Sequence, residues 1–268
     1  MKVSHLYQRS HALLFGVCAL VALATPMVVI PQEALPTGEE IRERYLEALG
    51  GRAALQSPTS SHVTGTFEVP ANGIVGDMEM FGAAPNKLFT RMEMPGLGRS
   101  STGFDGEVAW MINSAMGAML IEGKNLQQLK QQADFYSVLH PEEHIASFEP
   151  VARKDFEGKQ CYEVKVVTQW DEEYVEYYEV ETGLQLGSVR TQESPMGPIE
   201  ATTIVEVYRK FGPILVPTKI IQRAMGMEQI MTITQIEYDV VADSMFAIPP
   251  EIQELLKAEP TDTTSRGS

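Results

Sequence analysis

Ser61-His-Val-Thr-Gly-Thr-Phe-Glu-Val69 decides the fold class. Val63, Gly65, Phe67 and Val69 fall on one side of this stretch and Thr64, Thr66 and Glu68 on the other. That period of two fits a half-buried strand and not a helix. Immediately upstream the period is different. Thr37-Gly-Glu-Glu40 has the form of a capping box, and Ile41, Tyr45, Leu46 and Leu49 recur at helical spacing until Gly50-Gly51 stops the run. One amphipathic helix therefore opens the folded part, and the chain after it reads as β.

Downstream, strand-like runs follow at short intervals: Ile74 to Phe81, Lys87 to Met94, Ser101 to Asp105 and Glu107 to Asn113. Ala84-Pro85-Asn86, Pro95-Gly96 and Asp105-Gly106 separate them, which favours an antiparallel meander. A helical period returns over Asn125 to Leu139, where Leu126, Leu129, Ala133 and Tyr136 share a face. The β pattern then resumes in Phe148 to Asp155, Gln160 to Thr168, Glu172 to Glu181 and Leu184 to Gln192. A Pro195-Met-Gly-Pro198 turn leads to three long runs, Ile199 to Arg209, Ile214 to Ala224 and Glu228 to Val240. About a dozen locally joined strands with no βαβ alternation predict a mainly β (α+β) chain built on a large curved antiparallel sheet. Glu251 to Leu256 makes a short final helix, and residues 258–268 read as a disordered tail.

At the other end, Lys2 and Arg9 precede the apolar run Ala12 to Ala24, the charged-then-apolar order of an export signal. The expectation for residues 1–30 is a signal peptide or an uncleaved N-terminal anchor, with the folded part, 37–256, a single domain in the periplasm. Beyond the signal one cysteine remains, Cys161, in an alternating run with no nearby His, so it reads as a packed strand residue.

The chain carries 36 Asp plus Glu against 21 Lys plus Arg, a formal charge of −15 with no cationic cluster. That sign excludes nucleic acid as a partner. Catalytic patterns are sparse. His140-Pro-Glu-Glu-His144 fits an inverted zinc-peptidase motif, in which two His project from one helix face. Pro141, however, pushes His140 out of the α region, so a zinc hydrolase using His140 and His144 is only a remote alternative. No cofactor, metal or catalytic residue is expected. Trp170-Asp-Glu-Glu-Tyr-Val-Glu-Tyr-Tyr-Glu-Val-Glu181 reads as a solvated acidic strand face, or as a docking surface for a basic envelope partner through Glu172, Glu173 and Glu176.

What remains is apolar. Met78 and Met80 share a side of one predicted strand, Met92 and Met94 of the next, and Trp110 and Ile112 of another. With Phe67 they are candidates to line one sheet face. Methionine fills irregular space and tolerates varied ligands, which suits acyl chains.

These pieces resemble the periplasmic lipoprotein-sorting carriers of the LolA/LolB type. The resemblance lies in Tyr45-Leu-Glu-Ala-Leu-Gly-Gly51, His62-Val-Thr-Gly-Thr-Phe67, Phe104-Asp-Gly-Glu-Val-Ala-Trp110, Tyr178-Glu-Val-Glu-Thr-Gly-Leu184 and Asp243-Ser-Met-Phe-Ala-Ile-Pro249, in order from Thr37 to Leu256. It implies an unclosed β-barrel round an apolar cavity, with an N-terminal helix and an internal lid helix. Leu126, Leu129 and Tyr136 would then be lid residues and Trp110 would lie on the wall beneath. The implied function is a monomeric, non-enzymatic carrier that binds a lipid or acylated lipoprotein. Relatives of this fold also act as envelope sensors, the alternative that an acidic docking face would serve. The chain departs from the core carriers in its greater length and its acidic second half.

Overall fold

The computed structural model describes residues 34–96, 98–194 and 197–258. The signal or anchor expected over 1–30, Pro195 and Met196 of the expected turn, and the tail after Ala258 lie outside the described residues. No helix among the described residues is long and apolar enough to cross a membrane.

Helix α1 (Gly38–Leu49) starts at the capping box: the Glu40 amide donates to Thr37 Oγ1 at 3.2 Å and the Thr37 amide to Glu40 Oε2 at 2.7 Å. Gly50 ends it at φ 123°, where an added Cβ would lie 2.5 Å from the Pro213 carbonyl oxygen, so the cap requires glycine. A short helix α2 (Arg52–Gln56), not foreseen from the periodicity, leads into the sheet.

Among the described residues there are thirteen strands: β1 (Ser60–Val69), β2 (Ile74–Ala83), β3 (Lys87–Met94), β4 (Gly98–Phe104), β5 (Ala109–Asn113), β6 (Gly117–Leu120), β7 (Ile145–Phe156), β8 (Lys159–Thr168), β9 (Glu173–Glu179), β10 (Gln185–Ser194), β11 (Gly197–Phe211), β12 (Ile214–Ala224) and β13 (Met227–Tyr238). Every pairing is antiparallel. The order is β6-β5-β4-β3-β2-β1-β13-β12-β11-β10-β9-β8-β7. Two local meanders therefore meet at one long-range seam, β1 against β13. The edges β6 and β7 do not pair, so the sheet is an unclosed half-barrel, as expected.

Residues 121–144 join those two edges and carry α3 (Gly123–Ala133). The helical period predicted α3 to run to Leu139, but it stops at Asp134. Asp134 takes extended dihedrals and its Oδ1 accepts the Tyr136 amide at 3.0 Å, while the Phe135 amide donates to the Pro85 carbonyl at 3.0 Å. A side chain that competes for local amides ends the helix.

One face of the sheet, the inner one, is covered by α1 and α3. Ile41 and Tyr45 of α1 pack on Tyr162, Val164, Val166, Tyr174 and Tyr178. Leu126, Leu129 and Ala133 of α3 pack on Leu88, Phe104 and Ala109. The outer face of the first meander is covered by the C-terminal segment. A 3-10 turn, Asp243–Phe246, lies against β3, where Asp243 pairs with Lys87, and α4 (Pro250–Ala258) lies against β6. Ile252 of α4 is wholly buried. Cys161 is likewise wholly buried, in an outer-face cluster with Phe156, Tyr177 and Ile204.

Candidate functional site

Because α3 crosses between the two sheet edges, it has two flanks, and each borders a cavity. The first cavity, about 460 Å³, is lined by Phe67, Met78, Met80, Leu88, Thr90, Met92 and Thr102 from β1–β4 and by Thr203, Ile220, Gln222, Gln229 and Met231 from β11–β13, with Leu129 and Gln132 of α3 at its side. Strand register explains the lining. Gly65 is opposite Met78, Met78 opposite Met92, and Val63 opposite Met80, so paired residues put the methionines on one face. Val63, Met78 and Ile233 are buried, with Met80, Met92, Met231 and Phe211 packed around them.

Five of the residues singled out from the sequence, Phe67, Met78, Met80, Met92 and Leu129, thus meet at one cavity. Leu126 holds the lid to the sheet beside Leu129. Met94 stays on the same face, its Cγ 2.9 Å from where a Cβ on Gly76 would be. Tyr136 anchors the chain after α3, its hydroxyl donating to the Pro58 carbonyl at 3.0 Å.

Trp110 and Ile112 do not join them. Met92 is opposite Ser100, which is opposite Asn113, so Ala109, Met111 and Asn113 share the methionine face and Trp110 and Ile112 occupy the outer one. There Trp110, 2% exposed, closes an aromatic ladder: His62 stacks on Phe81 at 4.2 Å, Phe81 on Phe89 at 6.0 Å, and Phe89 meets Trp110 at 5.8 Å. Gly103, opposite both Phe89 and Trp110, makes room, since its Cβ would fall 2.4 Å from the indole ring. The expectation that Trp110 forms the wall beneath the lid is therefore corrected: it lies on the face covered by the C-terminal segment.

The second cavity, about 250 Å³, opens on the other flank of α3, between α1, the chain leading into β7, and strands β8–β10. Sequence reasoning missed it. Tyr45, Phe148 and Tyr178 form its aromatic wall, with Tyr178 edge-on to Tyr45 at 5.5 Å and to Phe148 at 5.7 Å. Glu176 and Arg42 also line it, together with Gln131 of α3. The Tyr178 hydroxyl donates to Glu176 Oε2 at 2.6 Å. Burial pushes the Glu176 carboxyl above its usual range despite that bond and the fields of Arg190 and Arg42. Burial, with Glu176 nearby, also pushes the Tyr45 hydroxyl up to about 12.

The acidic run is therefore not one solvated face. Glu173 is exposed and pairs with Lys165 at 2.8 Å, but Glu176 points inward. Glu172 is half-buried and accepts the Thr168-capped turn's Trp170 Nε1 at 3.1 Å and Gln128 Nε2 at 3.3 Å.

The two histidines also separate. Pro141–Glu143 is a single 3-10 turn with His140 outside it at φ −127°, as the proline requires. His140 is exposed beside Glu142, whereas His144 Nε2 meets Asp134 Oδ2 at 2.8 Å. The three-donor group among the described residues is Asp134, Glu143 and His144, without His140, so the paired-histidine geometry of a zinc helix is not formed. On the outer face a broad depression of about 630 Å³ is lined by charges that neutralise one another, Arg91 with Glu79 and Arg99 with Glu93.

No known family profile matches the sequence, and no curated protein does. The fold has clear likenesses among solved structures. A LolA superfamily protein from Nitrosomonas europaea superposes with a TM-score of 0.55 at 12% identity, covering 80% of this chain and 99% of that one. A DUF1329 family protein from Desulfovibrio piger gives 0.53 at 9% identity, over 78% of this chain and 96% of the other. A domain from Vibrio parahaemolyticus assigned to outer membrane lipoprotein sorting gives 0.51 at 10% identity, over 78% and 97%. At such identities the likeness establishes the fold, a LolA/LolB-like half-barrel, and nothing finer.

Proposed function

We propose that this chain is a non-enzymatic periplasmic carrier that shelters an acyl chain, of a lipid or an acylated lipoprotein, in the methionine-lined cavity under α3. The observation that carries the reading is the composition of that cavity. Phe67, Met78, Met80, Met92, Met231 and Leu129 converge from both meanders on one open space, and a single amphipathic helix borders it. Its volume falls within the range of about 300–1,000 Å³ common to ligand sites. An acyl chain gains about 0.8 kcal/mol per methylene withdrawn from water, so an apolar, openable cavity is enough and no acid or base is required. Export as a soluble or anchored periplasmic protein fits the fold's likeness to lipoprotein-sorting domains and the apolar segment near the N-terminus.

The test is native mass spectrometry with lipid extraction on chain purified from a periplasmic preparation. A phospholipid or acylated species is expected to travel with the protein. It is expected to be lost in Leu129→Glu, because a carboxylate set against Leu88 and Phe104 must be solvated or expelled, which opens the lid. An empty protein that also fails to bind a fluorescent fatty acid would contradict the proposal.

A further inference from the structure

The polar flank of α3 presents a guanidinium and a carboxylate, neither of which closes an ion pair among the described residues. Arg42 lies over the Phe148 ring, 4.2 Å from its centroid, and among the described residues it makes no ion pair. Glu176 accepts hydrogen bonds from the Tyr178 hydroxyl and the Gln185 side chain, and among the described residues no cation lies within ion-pair distance of it. Arg190, the other guanidinium whose field reaches Glu176, is committed elsewhere: it stacks on Tyr174 at 3.5 Å and faces Glu172 at 3.7 Å. A half-buried carboxylate and a half-buried guanidinium line one cavity without either closing an ion pair, and a ligand that supplies a close counter-charge to each offsets the cost of their partial desolvation.

We propose that this second cavity receives the headgroup of a zwitterionic phospholipid, with the phosphate at Arg42 and the ammonium at Glu176 among the rings of Tyr45, Tyr178 and Phe148. The inference rests on the carrier reading and names the class of cargo. A purely anionic headgroup would satisfy Arg42 and meet Glu176 as a like charge, while an acyl carboxylate alone would leave Glu176 unpaired. The aromatic wall adds cation–π attraction for an ammonium and none for an anion. Gln131 borders this cavity and Leu129 and Gln132 border the other, so α3 contributes side chains to both.

The experiment compares short-chain phosphatidylethanolamine with phosphatidylglycerol carrying the same chains, titrated into the full chain by calorimetry. Wild type is expected to favour the ethanolamine lipid by about tenfold, the scale of one charge-assisted contact. Glu176→Gln, which keeps the side-chain size and an acceptor for Tyr178, is expected to bring that ratio close to one, whereas Arg42→Gln on α1 is expected to weaken both lipids alike, because both carry the phosphate, and to leave the ratio in place. Equal affinities in wild type, a preference that survives Glu176→Gln, or undiminished affinity for both lipids in Arg42→Gln would overturn the assignment while leaving the carrier intact. If neither lipid nor a fatty acid binds, the carrier reading falls with it. Glycerophosphoethanolamine, the headgroup without chains, separates the sources: weak binding is expected, and binding as tight as the lipid's would make the occupant a free zwitterion and overturn the lipid assignment.

Discussion

The two flanks of α3 are built on one sheet and under one helix, yet they differ in every side chain that matters. On the β1–β4 side the inner face presents methionine, threonine and leucine, with flexible stems and no fixed ring geometry. On the β8–β10 side α1 covers part of the face, and Tyr178 meets Tyr45 and Phe148 edge-on beside Glu176. The first flank can adapt to shape and the second can discriminate charge. On the proposed reading, a half-barrel separates a tolerant site from a selective one through what its helices cover, without changing the sheet.

A third surface sharpens the contrast, since on the outer face of β1–β5 an aromatic ladder packs from His62 to Trp110. Trp110→Ala removes a 2% exposed indole and is expected to cost about 3–5 kcal/mol by denaturant unfolding, with acyl binding retained below the transition. Loss of binding at full stability would mean that the inner and outer roles have been interchanged. Gly103→Ala forces a methyl against the same ring and is expected to cost about 1–3 kcal/mol. On the methionine flank, Met92→Leu conserves volume and is expected to cost less than about 1.5 kcal/mol and to change acyl affinity only slightly. A large loss there would show a rigid, specific wall instead of a tolerant one.

The polar flank has a titration signature. Burial raises Glu176 in the folded chain, where Arg42, Arg190, Tyr45, Tyr174, Tyr208 and His144 surround it. The folded state thus keeps this proton above the unfolded value of about 4.3, and wild type loses stability as pH rises from there through the raised value. Glu176→Gln lacks that loss, so its stability relative to wild type is expected to grow between acid and neutral pH, read from urea midpoints. A difference that is flat with pH would place the carboxylate in water. The smallest effect concerns Cys161, whose thiol is pushed up to about 11 by burial and by Glu179 and Asp155. It is expected to resist alkylation at neutral pH until the chain unfolds.

Much of this architecture was legible in the sequence because its signals are local. The capping box at Thr37 and Glu40, the glycine stop at Gly50 and the turn punctuation between strands each act within a few residues. The methionine face followed from period two in β2 and β3. The face of Trp110 was misjudged because parity carries across a turn only when the turn's geometry is known. Asp105 Oδ1 accepts the amides of Glu107 and Val108 at 2.9 and 2.8 Å, which delays β5 to Ala109 and sets its register. A one-residue offset exchanges the two faces. Gly103, a glycine inside a strand, was the available sign that something large crosses there. The polar cavity was hidden for a related reason. Tyr174, Glu176 and Tyr178 share one face of β9, so two buried tyrosines already indicated that Glu176 points inward, whereas counting the acids together suggested a solvated strip.

The central claim is that acyl chains occupy the inner, methionine-lined flank. Photocrosslinking with a diazirine fatty acid, followed by peptide mapping, tests it most directly. Adducts are expected on β2, β3 and β13 at Met78, Met80, Met92 and Met231, and on α3 at Leu129, with none on Phe89 or Trp110. Adducts concentrated on the outer aromatic ladder or the C-terminal helix would contradict the account.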